Sequence, residues 1–302
     1  IAQRGGAASG ALDPSLKNTH TDEFSAWIEH ELVPGVGLMG GYVYRKIDDF
    51  RVIYNQNRKI SDFNVPITIR DPGVDGVLGS ADDGAGIPGF NLSAAALALP
   101  VSNLITNLPG SGEYQTVEFS ANRRQTGRWS LAASFSMRWN SDQSTAYFGQ
   151  NLRALTTPST PNDLINTNDG RYDFTMWTAK INGSYDAGWG IRVTPALRFQ
   201  QGQPYGRTFL AGAANGINYG TQRILAEPID SRRQDNISIL DVRMEKSIPL
   251  ANSRRVGLLL DVYNLTNSKA AQNINWGSGS SFERPISIVG PTIVRFGVKF
   301  DW

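Results

Sequence analysis

The sequence predicts an all-β protein, an antiparallel β-barrel that crosses a membrane with its strands. Three observations support this prediction: long segments of alternating apolar and polar residues, aromatic residues at the ends of those segments, and connections that alternate between short and long. The 302 residues include 31 glycines, and 10% are aromatic, a composition that favours strands and turns over helices. No apolar run approaches the roughly 18 residues that a transmembrane helix needs.

The clearest strand covers residues 129–140. Its alternation is strict, as expected for a strand with one apolar face. It is longer than the average soluble strand of about 5–6 residues and matches the about 9–11 residues of a membrane-spanning strand. Aromatic residues lie at both ends of the apolar face, where an interfacial girdle requires them. That face consists of Trp129, Leu131, Ala133, Phe135, Met137 and Trp139.

Eight further segments have related patterns. The final one, 293–302, places Val294, Phe296, Val298, Phe300 and Trp302 on one face. Pro195 interrupts another of them and predicts a local bulge, because proline cannot donate to a strand ladder. The remaining predicted strands are 22–32, 37–51, 113–121, 172–185, 190–200, 240–246 and 256–264.

The connections between these strands sort by length. Short turns are predicted at 33–36, 123–127, 186–188 and 249–254, and long connections at about 55–111, 141–169, 201–235 and 267–290. In outer-membrane barrels the short turns are periplasmic and the long loops extracellular. Complete bacterial barrels have even strand numbers, so nine strands predict that residues 1–302 are the C-terminal portion of a larger barrel.

Several motifs, taken together and in order, resemble a known family. They are residues 258–267 (LLLDVYNLTN), 282–285 (FERP) and 295–302 (RFGVKFDW), with 71–76 (DPGVDG) and 161–165 (PNDLI) upstream. This combination resembles the TonB-dependent outer-membrane receptors, in particular the Oar-like branch that carries a carboxypeptidase-regulatory-like N-terminal domain.

The resemblance implies a barrel of about 22 strands with a plugged lumen, located in the outer membrane of a Gram-negative-type bacterium. Expected partners are outer-membrane lipid, an unknown extracellular ligand, and TonB acting through an N-terminal plug outside these residues. The terminal strand resembles the signal read by the barrel-assembly machinery, carried here by Phe296, Val298, Phe300 and Trp302. Two alternatives stay open, a structural or adhesive barrel without import and a passive porin; a plug and a TonB box would discriminate against both.

A candidate metal site lies in the long extracellular loop 55–111. Its Asp/Gly motif places Asp71, Asp75 and Asp82 at positions 1, 5 and 12 of an EF-hand pattern, with Asp83 adjacent. Such a loop supplies the carboxylate oxygens that Ca²⁺ prefers. However, Gly73 replaces the ligand at position 3, and Asp82 replaces the usual Glu. The alternative is a solvated Asp/Gly turn.

Other functions are disfavoured. The 29 basic and 27 acidic residues lack the excess of a nucleic-acid binder, and the absence of cysteine excludes disulfides and Cys-based zinc sites. His20 and His30 have no third ligand nearby in sequence and are predicted to be ordinary polar residues. No catalytic motif is found, so an enzyme is not expected. Five tryptophans are interpreted mainly as interfacial anchors: Trp129, Trp139, Trp189, Trp276 and Trp302.

One set of charged residues is predicted to face the barrel lumen and to pair across strands. It comprises Arg138, Arg192, Arg198, Asp241, Arg243, Glu245, Asp261, Arg295 and Lys299.

Overall fold

The computed structural model describes residues 11–107, 110–142, 160–168, 170–251 and 254–301. Within these ranges one antiparallel sheet of nine strands dominates, and each strand is hydrogen-bonded to its neighbour in sequence. The all-β antiparallel prediction is confirmed, as are all nine strands. They are β1 His20–Val33, β2 Val36–Asp48, β3 Ser111–Thr126, β4 Trp129–Asp142, β5 Tyr172–Gly188, β6 Ile191–Gln200, β7 Ile237–Pro249, β8 Arg255–Tyr263 and β9 Ile293–Asp301.

Helical structure in the described residues is limited to single turns. The α-helix Ala94–Leu97 has four residues, and Ser93 caps it by accepting a hydrogen bond from the Ala96 amide. The 3-10 turns are Ile60–Asp62, Pro161–Leu164 and Ala213–Asn215. None of the helices described is both long and apolar enough to cross a bilayer.

Strand boundaries differ from the sequence predictions in two respects. β3 and β7 extend beyond their alternating cores, because the cross-strand pairing continues past them. The residues added to β3 are mostly polar, whereas those added to β7 include Ile237, Ile239 and Ile248. The predicted strand 37–51 ends earlier, at Asp48. Asp49 then takes a left-handed conformation with φ of 57°, which turns the chain out of the sheet.

The bulge predicted at Pro195 is not found. Pro195 lies opposite Val242 in unbroken register with β7. In the pairing of β6 with β5, the register is the same on both sides of Pro195, because Asn182 lies opposite Ala196 and Tyr185 lies opposite Val193. The proline ring is therefore accommodated without an inserted residue, and the irregularity of this strand pair lies at 186–188.

One face of the sheet carries the predicted apolar side chains and is left bare. A cross-strand row runs through Phe119, Phe135, Ala179 and Phe199. Phe119 is 55% exposed and Phe296 is 79% exposed, so the described residues supply no second layer over this face. A water-soluble protein would cover such a surface.

Two aromatic rows bound the apolar face. Phe24, Tyr44 and Trp139 lie at the end with the long connections, in one cross-strand row through Gln115. Trp129 and Tyr185 are paired at the opposite end. The eleven residues from Trp129 to Trp139 are separated by ten steps of about 3.3 Å and span about 33 Å along the strand. At a tilt of about 35–45° this is a height of about 25 Å, the thickness of the apolar band of a membrane barrel.

The other face carries the charged set, and several of its members pair as predicted. Asp261 accepts hydrogen bonds from Arg243 at 2.5 Å and from Arg295 at 2.7 Å. Arg192 forms an ion pair with Asp186 at 2.7 Å. These bonds link neighbouring strands through charges on one face.

The long connections contain ten short strands. Together with one short strand that precedes β1, they form small sheets separate from the large one. Ala11–Leu12 pairs parallel with Asn103–Asn107, which pairs antiparallel with Arg51–Asn55. The four other pairs are antiparallel: Val65–Ile69 with Ile87–Asn91, Pro204–Tyr205 with Arg232–Arg233, Thr208–Ala211 with Gln222–Leu225, and Ala271–Ile274 with Pro285–Ile288.

Candidate functional site: the packed loop cap

The four long connections form a packed structure at one end of the sheet. They join β2 to β3, β4 to β5, β6 to β7 and β8 to β9, and an antiparallel meander places all of them at the same edge. We call the described parts of residues 49–110, 143–171, 201–236 and 264–292 the loop cap. The loop cap and the strand ends that enter it contain the buried hydrophobic residues of the described chain.

Three apolar clusters form the core of the loop cap. The first two draw on connections or strand ends that are far apart in sequence, whereas the buried members of the third all lie in the connection 49–110. The first consists of Tyr172, Phe174, Tyr205, Leu225, Ile229, Ile274 and Trp276. The second consists of Ile69, Phe209, Ala211, Ile217 and Ile224, and the third of Phe63, Leu92 and Ala96, with Tyr219 packed against both.

Arg207 is the central buried charge of the loop cap. Its side chain is 7% exposed and that of its partner Asp71 is 5% exposed. The guanidinium donates to both carboxylate oxygens of Asp71, at 2.8 and 2.6 Å, and also to the Gly73 carbonyl and the Ser278 hydroxyl. The bonds to Asp71 raise the pKa of Arg207 despite its burial. These hydrogen bonds tie three connections together.

A second polar network lies beside the first. Arg232 donates two hydrogen bonds to Glu227, at 2.6 and 3.0 Å, and one to Glu283 at 3.1 Å. Tyr205 donates to the same Glu283 oxygen at 2.7 Å. Burial, and then the bond to Glu283, raises the pKa of Tyr205 to about 12, so the phenol keeps its proton and acts as a donor.

Asparagine side chains connect the backbones of different loops. Asn162 bonds the amide and carbonyl of Phe90 and also the Tyr219 hydroxyl. Asn91 donates to the Gly216 carbonyl and accepts from the Asn218 amide. A side-chain amide offers both donors and an acceptor, so it can substitute for a strand neighbour where no ladder exists.

The Asp/Gly motif is organised by its own backbone amides. Asp82 accepts from the amides of Val74 and Asp75, at 2.7 and 3.0 Å, while Asp75 accepts from Val77 and Asp83 from Gly79. Asp71 is engaged by Arg207 instead. The structure thus does not bring Asp71, Asp75, Asp82 and Asp83 together as one ligand set, and it accounts for the motif without a metal. Calcium binding at this loop stays a prediction that the arrangement does not favour.

Several amides at the base of the loop cap have polar atoms without partners. Gln203 and Gln234 are neighbours, since the Gln234 backbone amide donates to the Gln203 carbonyl at 3.0 Å. Within the described part of the chain, the side-chain oxygens of both glutamines, the side-chain nitrogen of Gln234 and both polar side-chain atoms of Asn140 are buried and have no hydrogen-bond partner. Buried polar groups are normally satisfied, so these atoms can bind water or a ligand that both donates and accepts hydrogen bonds.

The residues predicted as the assembly signal and those predicted as tryptophan anchors lie mostly outside the loop cap. Phe296, Val298 and Phe300 are exposed on the apolar face of β9, as the alternation predicts; Trp302 lies outside the described residues. Trp276 is fully buried in the first cluster and is not an interfacial anchor, which corrects the prediction for that residue. Trp129 and Trp139 lie at the two ends of β4.

Sequence reasoning missed Arg207, Arg232 and Glu227, the charges that hold the loop cap together. A single Arg or Glu in a long polar loop has no local pattern that marks it as buried. Two of their partners could be noticed in the sequence. Glu283 lies inside the 282–285 motif, and Asp71 was selected as a candidate calcium ligand.

Comparisons with known proteins give limited similarity. No family model and no curated protein matches the chain. The outer membrane transporter YddB from Escherichia coli is similar to 98% of this chain, with 14% identity and a TM-score of 0.45. The P. putida toluene transporter TodX is similar to 81% of it, with 6% identity and a TM-score of 0.25. This chain spans 34% of the first and 63% of the second.

Proposed function

We propose that this chain is the membrane-spanning part of an outer-membrane β-barrel transporter, with the loop cap on the extracellular side. The observation that carries the proposal is an inverted distribution of burial. Apolar side chains of the nine strands are bare, whereas the packed core lies in the connections. A membrane supplies lipid for the bare apolar sheet face and water beyond it for the polar loop assembly.

The chain lacks cysteine, so single cysteines can report which face meets lipid. Phe135→Cys places a thiol on the apolar face of β4, and Ser136→Cys places one on the polar face of the same strand. In phosphatidylcholine vesicles we expect a membrane-soluble maleimide to label the first and a charged, water-soluble thiol reagent to label the second. Equal reaction of both variants with the charged reagent would contradict a lipid-facing sheet.

In its finer form the proposal is a TonB-dependent receptor of the Oar-like branch. The motifs at 71–76, 161–165, 258–267, 282–285 and 295–302 support it. Four of these segments contribute residues to the contacts of the loop cap: Asp71, Asn162, Asn264 and Glu283. The unpartnered amides of Asn140, Gln203 and Gln234 are the proposed contacts for a polar ligand.

The transport proposal is tested in the source bacterium. Deletion of this gene and deletion of the TonB energy-coupling gene are expected to slow growth on an overlapping set of poorly diffusing nutrients. Loss of surface attachment with unchanged growth would favour the adhesive alternative. Passage of small solutes that is independent of TonB would favour a porin.

Phe296, Val298 and Phe300 are proposed to form the assembly signal together with Trp302. Their exposure on the last strand leaves them accessible before a neighbour is added. A Phe300→Asp variant is expected to accumulate unfolded in the periplasm, while Lys299→Asp, on the opposite face, assembles. Outer-membrane fractionation and heat-modifiable gel mobility measure the difference; normal assembly of both variants would remove these residues from the signal.

A further inference from the structure

A cluster of metal-ligating side chains lies at the long-connection end of the β1–β2 hairpin. His20 and Asp22 alternate on β1, and Asp48 lies directly across from His20 on β2. Residues i and i+2 of a strand and the cross-strand partner share one face of a sheet. One ligand atom from each of the three lies within 4.8 Å of the others. The sequence alone gave no indication of this, because Asp48 is distant from His20 along the chain.

A fourth residue, Asp49, orients the imidazole. Its carboxylate lies 3.2 Å from Nδ1 of His20, and the opposite ring nitrogen, Nε2, lies 4.0 Å from the Asp48 carboxylate. The left-handed backbone at Asp49 and the bond from the Thr19 hydroxyl to the Asp49 carbonyl hold this carboxylate beside the ring. Metal-binding histidines commonly donate their other ring N–H to a carboxylate, which fixes the tautomer.

The remaining gap has the dimensions of a bound ion. A separation of 4.0 Å between Nε2 and the Asp48 oxygen is too long for a hydrogen bond. A zinc ion about 2.0–2.1 Å from nitrogen and about 2.0–2.2 Å from oxygen spans it with a small inward movement. The local charge also attracts a cation, since three carboxylates face a single ammonium group, Lys46, which lies 3.1 Å from Asp48.

We propose that His20, Asp22 and Asp48, with Asp49 as the orienting carboxylate, bind a divalent first-row transition-metal ion, for which Zn²⁺ is the probe. One imidazole and two carboxylates are a borderline donor set that suits such ions better than Ca²⁺. The site lies beyond the aromatic row of Phe24 and Tyr44, on the aqueous side of the apolar band. It is exposed, with the His20 side chain 54% accessible, so an ion reaches it from solution.

Isothermal titration of the full chain in detergent with Zn²⁺ tests the proposal. One zinc ion per chain is expected. His20→Ala abolishes this binding, and Asp49→Asn weakens it by about 10–100-fold, the usual effect of losing an orienting partner. His30→Ala is the matched control, because His30 is the only other histidine and lies on the same strand and face. Lys46→Gln is expected to tighten binding, since the ammonium competes for Asp48.

Three results would overturn the proposal. They are absence of zinc binding to the unmodified chain, equal zinc affinity of the His20→Ala and unmodified chains, and Ca²⁺ binding as tight as that of Zn²⁺. The first means that the cluster is only a contact of His20 with Asp48 and Asp49 that holds no metal ion. Zinc X-ray absorption of the loaded protein gives an independent readout, with one nitrogen among oxygen ligands expected.

Discussion

At the scale of single residues, the Arg207–Asp71 pair is a buried ion pair that joins distant parts of the loop cap. Both side chains are buried and fully hydrogen-bonded, and they come from connections 136 positions apart. Removing one member of a buried pair leaves an uncompensated charge, which costs about 3–5 kcal/mol. The pair is therefore expected to be one of the main contacts that keep the connections packed as one unit.

Arg207→Met is expected to open the loop cap and to leave the sheet intact. Limited trypsin digestion should then cut within residues 201–236, whereas the β-rich circular dichroism signal persists. The double variant Arg207→Met with Asp71→Leu should recover much of the protease resistance, because no unpaired charge remains. Equal resistance of the single variant and the unmodified chain would show that the pair is dispensable.

The Asp/Gly turn gives a prediction about acid. The Ser80 hydroxyl, followed by the Asp75 and Val74 amides, lowers the pKa of Asp82 to about 2. A carboxylate with a lowered pKa stabilises the fold above its unfolded value of about 3.9, and that contribution is lost as the pH falls through the folded value. The protection of the Val74 and Asp75 amides against hydrogen exchange, relative to their intrinsic rates, should fall between about pH 4 and pH 2. Asp82→Asn should remove this pH dependence, and a persistent acid transition in that variant would assign it to another group.

At the scale of elements, the approach of two short strands depends on Gly202. A β-carbon there would lie 1.7 Å from the Gln234 carbonyl oxygen and 2.8 Å from that of Asp235. Both neighbours are backbone atoms, so Pro204–Tyr205 and Arg232–Arg233 must separate if it is added.

Gly202→Ala is therefore expected to lower the free energy of unfolding of the loop cap by about 1–3 kcal/mol. Gly212→Ala is the matched control, because its β-carbon would meet only the Thr221 hydroxyl, at 3.5 Å. Hydrogen exchange over 201–236 measures both. Identical protection in the two variants would mean that the segment shifts to accommodate the added methyl group without loss of stability.

The elements also show what could be predicted from sequence. All nine strands of the sheet are predictable, because alternation is a local property that each strand carries itself. The strand pair Val65–Ile69 and Ile87–Asn91 is not, since its pairing depends on partners elsewhere in the loop cap. Trp276 illustrates the same limit: local sequence gives no distinction between an anchor in lipid and a buried side chain. Asp71 was selected as a ligand, but its actual partner, Arg207, can be found only in three dimensions.

At the scale of the whole molecule, the proposed lipid-facing surface predicts asymmetric tolerance to charge. Phe135 lies near the middle of the apolar band, and Ser134 is its neighbour on the opposite face. Phe135→Arg is expected to cost about 2–4 kcal/mol in a bilayer, whereas Ser134→Arg costs little. Urea unfolding in phosphatidylcholine vesicles gives both values. A greater loss for Ser134→Arg would place the lipid on the other side of the sheet.

The consecutive order of the strands has a consequence for how the chain acquires its structure. Neighbouring strands of the sheet are consecutive along the chain, so each pairing requires the closure of only one connection, whereas contacts between distant segments form slowly. The Asp71–Arg207 and Asn91–Asn218 contacts each join residues more than a hundred positions apart. The nine-stranded sheet is thus expected to form before the loop cap. A folding intermediate would then have paired strands and closed short turns, with the long connections still unpacked.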